Sequence, residues 1–537
     1  MPKQNPPISI PLSFFLLAGD MGYLELALAA LVVVLISRLW NVLVYLIWRP
    51  FVITKRFREQ GIRGPSYKFW SGSLEEIKNI RKASEGVVLD IHCHDITSRV
   101  LSQYTKWISQ YGRTFLYWFG PEPHICITDP EMVKQVLSNK FGFYTKPNRN
   151  PNIFALLGKG LVFAEGPYWA RHRRLVSPAF AMDKLKLMTK KMAECTQLMT
   201  ERWHGQAFNE DQQKEIEVGR EFQELTADVI SHTAFGSSFK EGKEVFLAQK
   251  ELVMLALATL FSVHLPGFKS LPTRTNIEKW KLEKKVRNTL KKIIQSRLDS
   301  KGSGYGNDLL GLMMEACTSD CTAKHDNERM NMDEIIDECK TFFFAGHETT
   351  SHLLTWTMFL LGTNQEWQEK LREEVLRECG KEVPDADMLG KLKLVTMVLL
   401  EALRLYGPVA MTERQATKDM NLGDLEVPKG TVLAMPIAIM HRDKEIWSAD
   451  ADEFNPLRFE NGIRKAANHP NALLSFSIGP RACIGQDFAM LEAKMVMAMI
   501  LQKFSFSISP KYIHAPADLI TVQPKYGLPI VLTPLHF

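Results

Sequence analysis

Phe476-Ser-Ile-Gly-Pro-Arg-Ala-Cys-Ile-Gly485 is the most informative segment of the chain, with two glycines, an arginine and a cysteine closely spaced. A helical pattern from Ala489 to Phe504 follows it directly. Backbone N–H groups and the dipole at a helix N-terminus stabilise negative charge on a nearby sulfur. A lone cysteine is ordinarily a buried, unreactive thiol. The surroundings reverse that preference here, and Cys483 becomes a candidate metal ligand.

The overall composition narrows the class of protein. Eight cysteines are scattered along the chain without a C-x-x-C pair, which argues against a zinc site or a disulfide framework. Apolar residues make up 45% and charged residues 23%, proportions that allow a large buried core. The 66 basic and 60 acidic residues are too evenly balanced to indicate a nucleic-acid partner.

The segment from Gly22 to Trp48 is apolar and long enough to cross a bilayer as one helix. Arg38 near its middle costs roughly 3 kcal/mol by insertion scales unless its side chain reaches the interface. A cleaved signal peptide is the alternative, but the A-x-A site at Ala27 to Ala29 lies inside the apolar run. We expect an uncleaved single-pass anchor. The basic residues after Trp48 predict that the following domain faces the cytoplasm.

Four segments are expected along the chain. Residues 1–21 form an N-terminal extension under the hypothesis that Met21 is an alternative start. Residues 22–48 are the anchor, and residues 49–65 are a basic linker that ends in the turn Gly61 to Pro65. Residues 66–537 form one domain. Helical periodicity dominates it, and short strand-like runs occur in Phe115 to Thr128 and after Val409, which predicts a mainly α fold with a small β-sheet region.

A second segment with unusual residues lies in a long apolar helix. Asn331 to Glu334 has the pattern of a capping box, and the helix it begins contains Ala345-Gly-His-Glu-Thr-Thr350. A glycine costs a helix about 1 kcal/mol relative to alanine, and Glu348 and Thr349 are polar in an otherwise apolar segment. Either this is an exposed polar patch, or it is a functional site that breaks the local rule.

Glu401 and Arg404 have the i, i+3 spacing of an ion pair on one helical face. Their apolar neighbours predict that the pair is buried and needs further partners. Two other pairs with the same spacing lie in a charge-rich helix and are interpreted as a solvated face: Glu369 with Arg372, and Glu374 with Arg377.

The cysteine segment, F-x-x-G-x-R-x-C-x-G, resembles the haem-binding sequence of the cytochrome P450 superfamily at every position. The resemblance implies that Cys483 is the axial ligand of haem b and that Arg481 pairs with a propionate. It also implies that Phe476 packs near the sulfur and that Gly479 and Gly485 allow a close backbone approach. A thiolate ligand donates electron density to iron and favours O–O cleavage.

Three further segments match patterns of the same family in the family's order. The pattern A-G-x-[DE]-T-T covers Ala345 to Thr350 and implies that Ala345 and Gly346 border the haem and the dioxygen groove, while Glu348 and Thr349 relay protons. His347 falls at the variable position and is given no role. Trp169 and Arg173 match W-x-x-x-R and are expected to reach a propionate. Arg458 matches P-x-R-F and is expected to pack against Glu401 and Arg404 as structural support.

Arg171, His172 and Arg174 lie on the same helical stretch as Trp169 and Arg173. As three basic groups close together, they are a hypothesis for a positive surface that receives an acidic electron donor.

The resemblance implies a monooxygenase that hydroxylates an apolar or amphiphilic small molecule, of fatty-acid or isoprenoid and steroid-hormone type. It would use O2 and electrons from NADPH, delivered by a separate flavoprotein reductase, because no nucleotide-binding motif occurs in this chain. The implied location is the endoplasmic reticulum membrane, with lipid as a further partner. Several segments look like the plant clan of fatty-acid, cytokinin and brassinosteroid hydroxylases, most of all its in-chain fatty-acid hydroxylases.

Three alternatives to a monooxygenase remain at this point. A rearrangement or dehydration enzyme on the same scaffold would not need Glu348 and Thr349. A haem-binding sensor or carrier would hold the cofactor without turnover. A structural membrane protein would bind no haem at all.

Overall fold

A computed structural model describes residues 23–147, 151–205, 213–236, 239–259, 271–299, 305–306, 308–318 and 330–535. The proposed N-terminal extension therefore lies outside the described residues, as does the first residue of the expected anchor. Within the described ranges the chain is mainly helical with small sheets, which confirms the predicted fold class.

The α-helices are numbered in chain order. They are α1 (Tyr23–Leu43), α2 (Arg49–Glu59), α3 (Leu74–Ser84), α4 (Thr97–Val100), α5 (Ser102–Tyr111), α6 (Pro130–Leu137), α7 (Pro151–Leu157), α8 (Gly166–Val176), α9 (Met182–Gly205), α10 (Val218–Phe235), α11 (Phe239–Thr259), α12 (Arg274–Asp299), α13 (Leu309–Thr318), α14 (Met332–Thr363), α15 (Gln365–Cys379), α16 (Ala386–Lys391), α17 (Lys393–Tyr406), α18 (Ile437–Met440), α19 (Lys444–Trp447) and α20 (Gln486–Lys503).

The strands are short and form four small sheets. They are β1 (Phe115–Phe119), β2 (Glu122–Cys126), β3 (Tyr144–Thr145), β4 (Lys214–Glu217), β5 (Thr412–Ala416), β6 (Met420–Leu422), β7 (Leu425–Val427), β8 (Val432–Met435), β9 (Phe504–Ile508), β10 (Pro516–Leu519), β11 (Thr521–Pro524) and β12 (Pro529–Pro534). The largest sheet has the order β1-β2-β8-β5-β3, in which β2 and β8 run parallel. The strand expected in residues 115–128 is thus an antiparallel hairpin of β1 and β2.

The apolar N-terminal segment is a helix long enough to cross a membrane, and its side chains are not covered by the rest of the protein. One π-helical stretch, Val44–Trp48, joins α1 to α2, so the helix continues without a break to Glu59. The first eleven residues of the expected linker are therefore helical. Only residues 60–65 form the turn before the globular body.

Helix α2 is packed into the globular body. Its side chains of Ile53 and Phe57 are buried in an apolar cluster with Leu425 and Val427 of the β6–β7 hairpin. The hydroxyl of Tyr67 donates a hydrogen bond of 2.8 Å to the carbonyl of Leu46 in the π-helical stretch. Pro50 in α2 has no N–H, so the carbonyl of Leu46 lacks its usual α-helical donor. The bond from Tyr67 occupies this carbonyl and holds the N-terminal helix against the body.

Helix α14 runs for 32 residues through the middle of the globular body. Asn331 accepts from the N–H of Glu334, and Glu334 accepts from the N–H of Asn331, which is the expected capping box. Most side chains from Ile335 onward are buried, including polar ones such as Glu338. A helix that is buried on nearly all sides belongs to the core of a large domain.

The expectation of a solvated face on α15 is wrong for two of its charged residues. The guanidinium of Arg372 is buried and donates to the carbonyls of Leu501 and Phe504. The carboxylate of Glu374 accepts from the N–H groups of Leu394 and Val395 at 2.8 and 3.0 Å. Both side chains satisfy the backbone ends of other elements, a use that charge spacing alone does not reveal.

Candidate functional site

The loop Phe476 to Gly485 is folded around its own backbone. The N–H of Cys483 donates to the carbonyl of Phe476 at 2.8 Å, and Gly479–Arg481 forms a single 3-10 turn. Gly479 has a φ of +75°, and a Cβ there would lie 2.5 Å from the carbonyl oxygen of Leu137. Both the conformation and the close approach exclude other residues. Gly479 thus allows the cysteine loop to pack directly against the backbone at Leu137.

Between this loop and α14 lies a cavity of about 860 Å³ of empty space, including the part open to solvent. Most of the site residues predicted from the sequence line it: Trp169, Arg173, Ala345, Gly346, Thr349, Phe476, Arg481, Cys483 and Gly485. Apolar side chains such as Leu161, Val162 and Phe488 complete the walls. A cavity with apolar walls and a few converging polar groups is the usual form of a cofactor or ligand site.

Cys483 is exposed, but to this cavity and not to the outer surface. The surrounding protein raises the pKa of its thiol by burial, while the N–H of Gly485 and the charge of Arg173 act in the opposite direction. A thiol must lose its proton to bind a metal, and a bound cation supplies the charge that favours the thiolate. The position therefore suits a ligand to an ion that enters the cavity.

Positive charge is concentrated at one end of the cavity. Arg481 donates to Glu165 at 2.6 Å and lies over the ring of Trp169 at 4.4 Å. Lys146 shares this region, and burial, together with the charges of Arg414 and Arg481, lowers its pKa to about 7. Uncompensated buried cations are costly unless anions pair with them.

These cations are suited to pair with the two propionates of a haem. The thiol of Cys483 is suited to bind the haem iron, and the apolar walls are suited to contact the porphyrin ring. Arg173 also donates to the carbonyl of Ala482 at 3.1 Å, which ties helix α8 to the cysteine loop. Sequence reasoning gave no role to Lys146, which lines this cavity, or to Arg414, which lines an adjoining cavity that also includes Lys146. One lies in the loop after β3 and the other on β5, and neither belongs to a motif that marks it.

Helix α14 forms the opposite wall. Thr349 faces the cavity, and its hydroxyl donates to the carbonyl of Ala345 at 2.8 Å. A Cβ at Gly346 would lie 2.7 Å from Cδ1 of Ile230, so this glycine lets α10 pack closely against α14. The structure thus gives Gly346 a packing role besides its place on the cavity wall.

Glu348 does not line the cavity beside Cys483. Its carboxylate lies on another face of α14 and accepts from the hydroxyl of Thr521 at 3.1 Å. His352 lies nearby, with Nδ1 3.8 Å from Glu348 and 3.1 Å from the Thr521 oxygen. Glu348 and Thr349 are therefore neighbours in sequence but face different spaces. A proton passing between them must cross the edge of the helix.

The three residues expected to support the site are brought together. Glu401 and Arg404 are fully buried, and their side chains form two hydrogen bonds of 2.6 and 2.7 Å. Arg404 also donates to the carbonyls of His441 and Ala451. Arg458 lies 3.7 Å from Glu401 and bonds mainly to Asp450. Such multiple partners are what a buried ion pair requires.

The hypothesis of a positive surface on α8 is wrong for two of its three residues. His172 is buried, and its Nδ1 lies 2.5 Å from the carboxylate of Glu338. Arg171 is largely buried and pairs with Glu334. These basic groups bond to acidic residues of α14, so they are not available to an external partner; Arg174 remains exposed.

A helical body with a cysteine loop facing a long helix across an apolar cavity defines a haem-thiolate protein. The sequence model of the family described as Cytochrome P450 matches residues 88–528, most of the globular body. Cytochrome P450 709B1 of Arabidopsis thaliana is 52% identical, over 95% of this chain and 99% of that protein. The chain belongs to the cytochrome P450 family and is a P450 monooxygenase with a haem cofactor.

Two further relatives agree with this assignment, and one solved structure has the same fold. Cytochrome P450 CYP72A616 of Paris polyphylla is 44% identical over 91% of this chain and 94% of its own. Cytochrome P450 734A1 of Arabidopsis thaliana is 40% identical over 94% and 95%. The structure described as retinoic acid bound cyanobacterial CYP120A1 shares the fold, with a TM-score of 0.71 and 23% identity over 88% of this chain and all of that one.

Proposed function

We propose that Cys483 would bind the iron of haem b through its sulfur and that the reaction takes place between this residue and α14. The observation that carries the proposal is the thiol of Cys483, exposed to an internal cavity that Arg481, Arg173 and Lys146 also line. When bound there, the haem would supply the activation of O2. The protein would contribute binding, orientation and protons.

The proposed roles of the other residues follow from where they lie. Arg173, Arg481, Lys146 and Trp169 would hold the propionates and fix the plane of the cofactor. Thr349 is one of the threonines that line the cavity, and its hydroxyl would hold a proton or a water molecule there. Glu348 would deliver protons to it from the far side of α14.

A substrate path is proposed from a second, larger cavity that shares Lys146 with the first. It has about 1300 Å³ of empty space, including open solvent, and its walls combine Phe154, Phe163 and Met411 with the polar Arg81 and Gln103. Such a lining suits a molecule that is apolar with a polar group at one end. We therefore propose an amphiphilic substrate of the fatty-acid or isoprenoid and steroid type.

The proposed cellular setting rests on the N-terminal helix. Its apolar length fits a membrane anchor, and the basic residues of α2 favour a cytoplasmic side for the body. We propose the endoplasmic reticulum membrane, with electrons from NADPH delivered by a separate flavoprotein reductase. Assays should therefore combine the purified enzyme with reductase and NADPH, and compare fatty acids, isoprenoid cytokinins and steroids as substrates.

Substituting Cys483 tests the central proposal. Cys483→Ser is expected to abolish the long-wavelength Soret band of the reduced carbonyl complex, because that band requires a thiolate ligand. Cys93→Ser is the control, since Cys93 is exposed and does not line the cavity. A Cys483→Ser protein that keeps the band, or a wild-type protein that holds its porphyrin through nitrogen alone, would contradict the proposal.

A further inference from the structure

Two neighbouring helices bring a thiol, a carboxylate and an imidazole to one place, away from the cavity beside Cys483. Cys195 lies on α9, and Asp228 and His232 lie on α10. One possible ligand atom from each side chain lies within 4.8 Å of the other two. All three groups are ligands of zinc, whose bonds of about 2.0–2.3 Å place neighbouring ligand atoms about 3–4 Å apart. Small rotations of the side chains would therefore enclose one ion.

The cluster is buried at its sulfur and open at its other two groups. Cys195 is 5% exposed, whereas the side chains of Asp228 and His232 are 25% and 31% exposed. Nε2 of His232 lies 3.4 Å from Oδ1 of Asp228, one helical turn earlier. An ion can therefore enter from the surface and meet the sulfur at the inner end. The open side leaves room for a water molecule as the fourth ligand.

Acidic groups surround the thiol of Cys195. Its pKa is raised by burial, by the charge of Asp228 and the hydrogen bond to it, and by the charges of Glu492 and Glu194. Glu194 is exposed and pairs with Lys191 at 2.6 Å. Glu492 reaches the thiol from α20; it is fully buried, and neither of its oxygens has a hydrogen-bond partner among the described residues. An ordinary ion pair of Asp228 with His232 accounts for neither this acid nor the thiol. A bound cation would displace the thiol proton and stabilise the acids around it.

We propose that Cys195, Asp228 and His232 bind a zinc ion. Sulfur and imidazole ligands favour zinc over magnesium and calcium, which prefer oxygen. On binding, a zinc–sulfur bond forms and the thiol proton leaves to the solvent, without a change of oxidation state. The absence of C-x-x-C pairs did not reveal this set, because its single cysteine and its other two ligands come from different helices.

A zinc ion here would tie α9 to α10 behind a wall of the cavity beside Cys483. Ile230, midway between Asp228 and His232 on α10, lines that cavity. Residues two positions apart on a helix lie on nearly opposite faces. The ion would therefore hold α10 in place without contacting the cofactor, and its role would be structural. The inference does not depend on the proposed reaction.

Zinc uptake by the purified full-length holoenzyme, prepared without a histidine tag, tests the proposal. Competition with a zinc-chelating dye measures the affinity, and X-ray absorption at the zinc edge identifies the ligands. The wild type is expected to bind one equivalent, with one sulfur at about 2.3 Å and nitrogen or oxygen at about 2.0–2.1 Å. Cys195→Ser should remove the sulfur signal. His232→Gln should weaken zinc binding at least about tenfold, the smallest effect expected when even an indirect ligand partner is lost.

Two matched substitutions are the controls, and both should leave zinc binding unchanged. Cys93→Ser removes an exposed cysteine outside the cluster. His469→Gln removes a histidine that pairs with the carboxylate of Glu131 at 2.8 Å, as His232 does with Asp228. The long-wavelength band of the reduced carbonyl complex, recorded with and without zinc, shows that each protein is folded and retains its haem.

Three results would overturn the proposal. The wild type takes up no zinc when mixed with one equivalent, the bound zinc has no sulfur ligand, or Cys195→Ser and His232→Gln bind zinc as tightly as the wild type. If Cys195→Ser does not fold, Asp228→Asn replaces it, because Asp228 is partly exposed and its substitution leaves the buried sulfur in place. It should weaken binding as His232→Gln does.

Discussion

Glu492 is a fully buried carboxyl group on α20, the helix that begins beside the cysteine loop. Neither carboxylate oxygen has a hydrogen-bond partner among the described residues. Burial raises the pKa of Glu492 well above its usual range, because the charged form has lost its water. Glu374 is buried to a similar degree, but both of its oxygens accept backbone N–H groups.

Glu492→Met is expected to raise the free energy of unfolding by about 1–3 kcal/mol at pH 8, since it removes an unpaired polar group. An acid with a raised folded-state pKa costs stability as pH rises above its unfolded pKa of about 4.5. The gain should therefore shrink as pH falls toward 4.5. Chemical denaturation at several pH values measures it.

Glu374→Met is the control and should lower stability, because two N–H groups of α17 lose their acceptor. Equal effects of the two substitutions would show that Glu492 has a partner after all.

At the scale of elements, sequence patterns predicted those helices and strands whose formation depends on residues close together in the chain. The capping box of α14, the strands of the β1–β2 hairpin and the helix after Cys483 all lie where periodicity and spacing predict them. The buried positions of His172 and Arg372 could not be predicted. Their partners lie more than a hundred residues away, so a charged helix face looks the same whether it meets water or another helix.

The cavity residues divide in the same way. Cys483 and Thr349 belong to motifs with fixed spacing, whereas Lys146 reaches the cavity, and Arg414 the adjoining larger cavity, only through the fold of the β3 and β5 region. The different faces of Glu348 and Thr349 follow from the rotation of about 100° per residue along a helix. Which face meets the cavity is set by the packing of α10 and not by the motif.

Gly346→Ala tests the contact between α10 and α14. A Cβ would approach Cδ1 of Ile230 to 2.7 Å, and overpacking of this kind costs about 1–3 kcal/mol. Alanine regains about 1 kcal/mol of helix propensity, so we expect a net loss of about 1 kcal/mol. Denaturation of a double-mutant cycle with Ile230→Val, which removes Cδ1, measures the coupling. The Gly346→Ala penalty should become smaller when Ile230→Val is already present, although a Cγ atom 2.9 Å from the new Cβ remains, and simple additivity would rule out this contact as its cause.

At the scale of the whole molecule, the N-terminal helix has an exposed apolar part and a part embedded in the body. Side chains of α1 are exposed along its length, while Phe57 of α2 is fully buried. Gln60, just after α2, exchanges hydrogen bonds with the backbone of Glu426 at 2.7 and 3.2 Å. The globular body therefore begins inside the helix, near Arg49, and not after the turn.

Phe57→Ala is expected to lower the stability of the body by about 3–5 kcal/mol, as for a large aromatic residue removed from a core. Phe51→Ala on the same helix is the control, because Phe51 is 61% exposed and should change stability by less than about 0.5 kcal/mol. Thermal unfolding followed by the Soret band compares them. Equal melting temperatures would mean that α2 is not part of the folded body.

Helix α1, the π-helical stretch and α2 form one continuous helix, which connects the apolar segment rigidly to the body. When the apolar half of this helix lies in a bilayer, the helix sets the tilt of the globular body and its distance from the membrane surface. One residue inserted near Val44 would rotate the body by about 100° about the helix axis and move it by about 1.5 Å along that axis. The openings of the cavities would then face a different part of the membrane surface. The length of this helix therefore determines how the cavities are oriented toward the membrane, in addition to attaching the body to it.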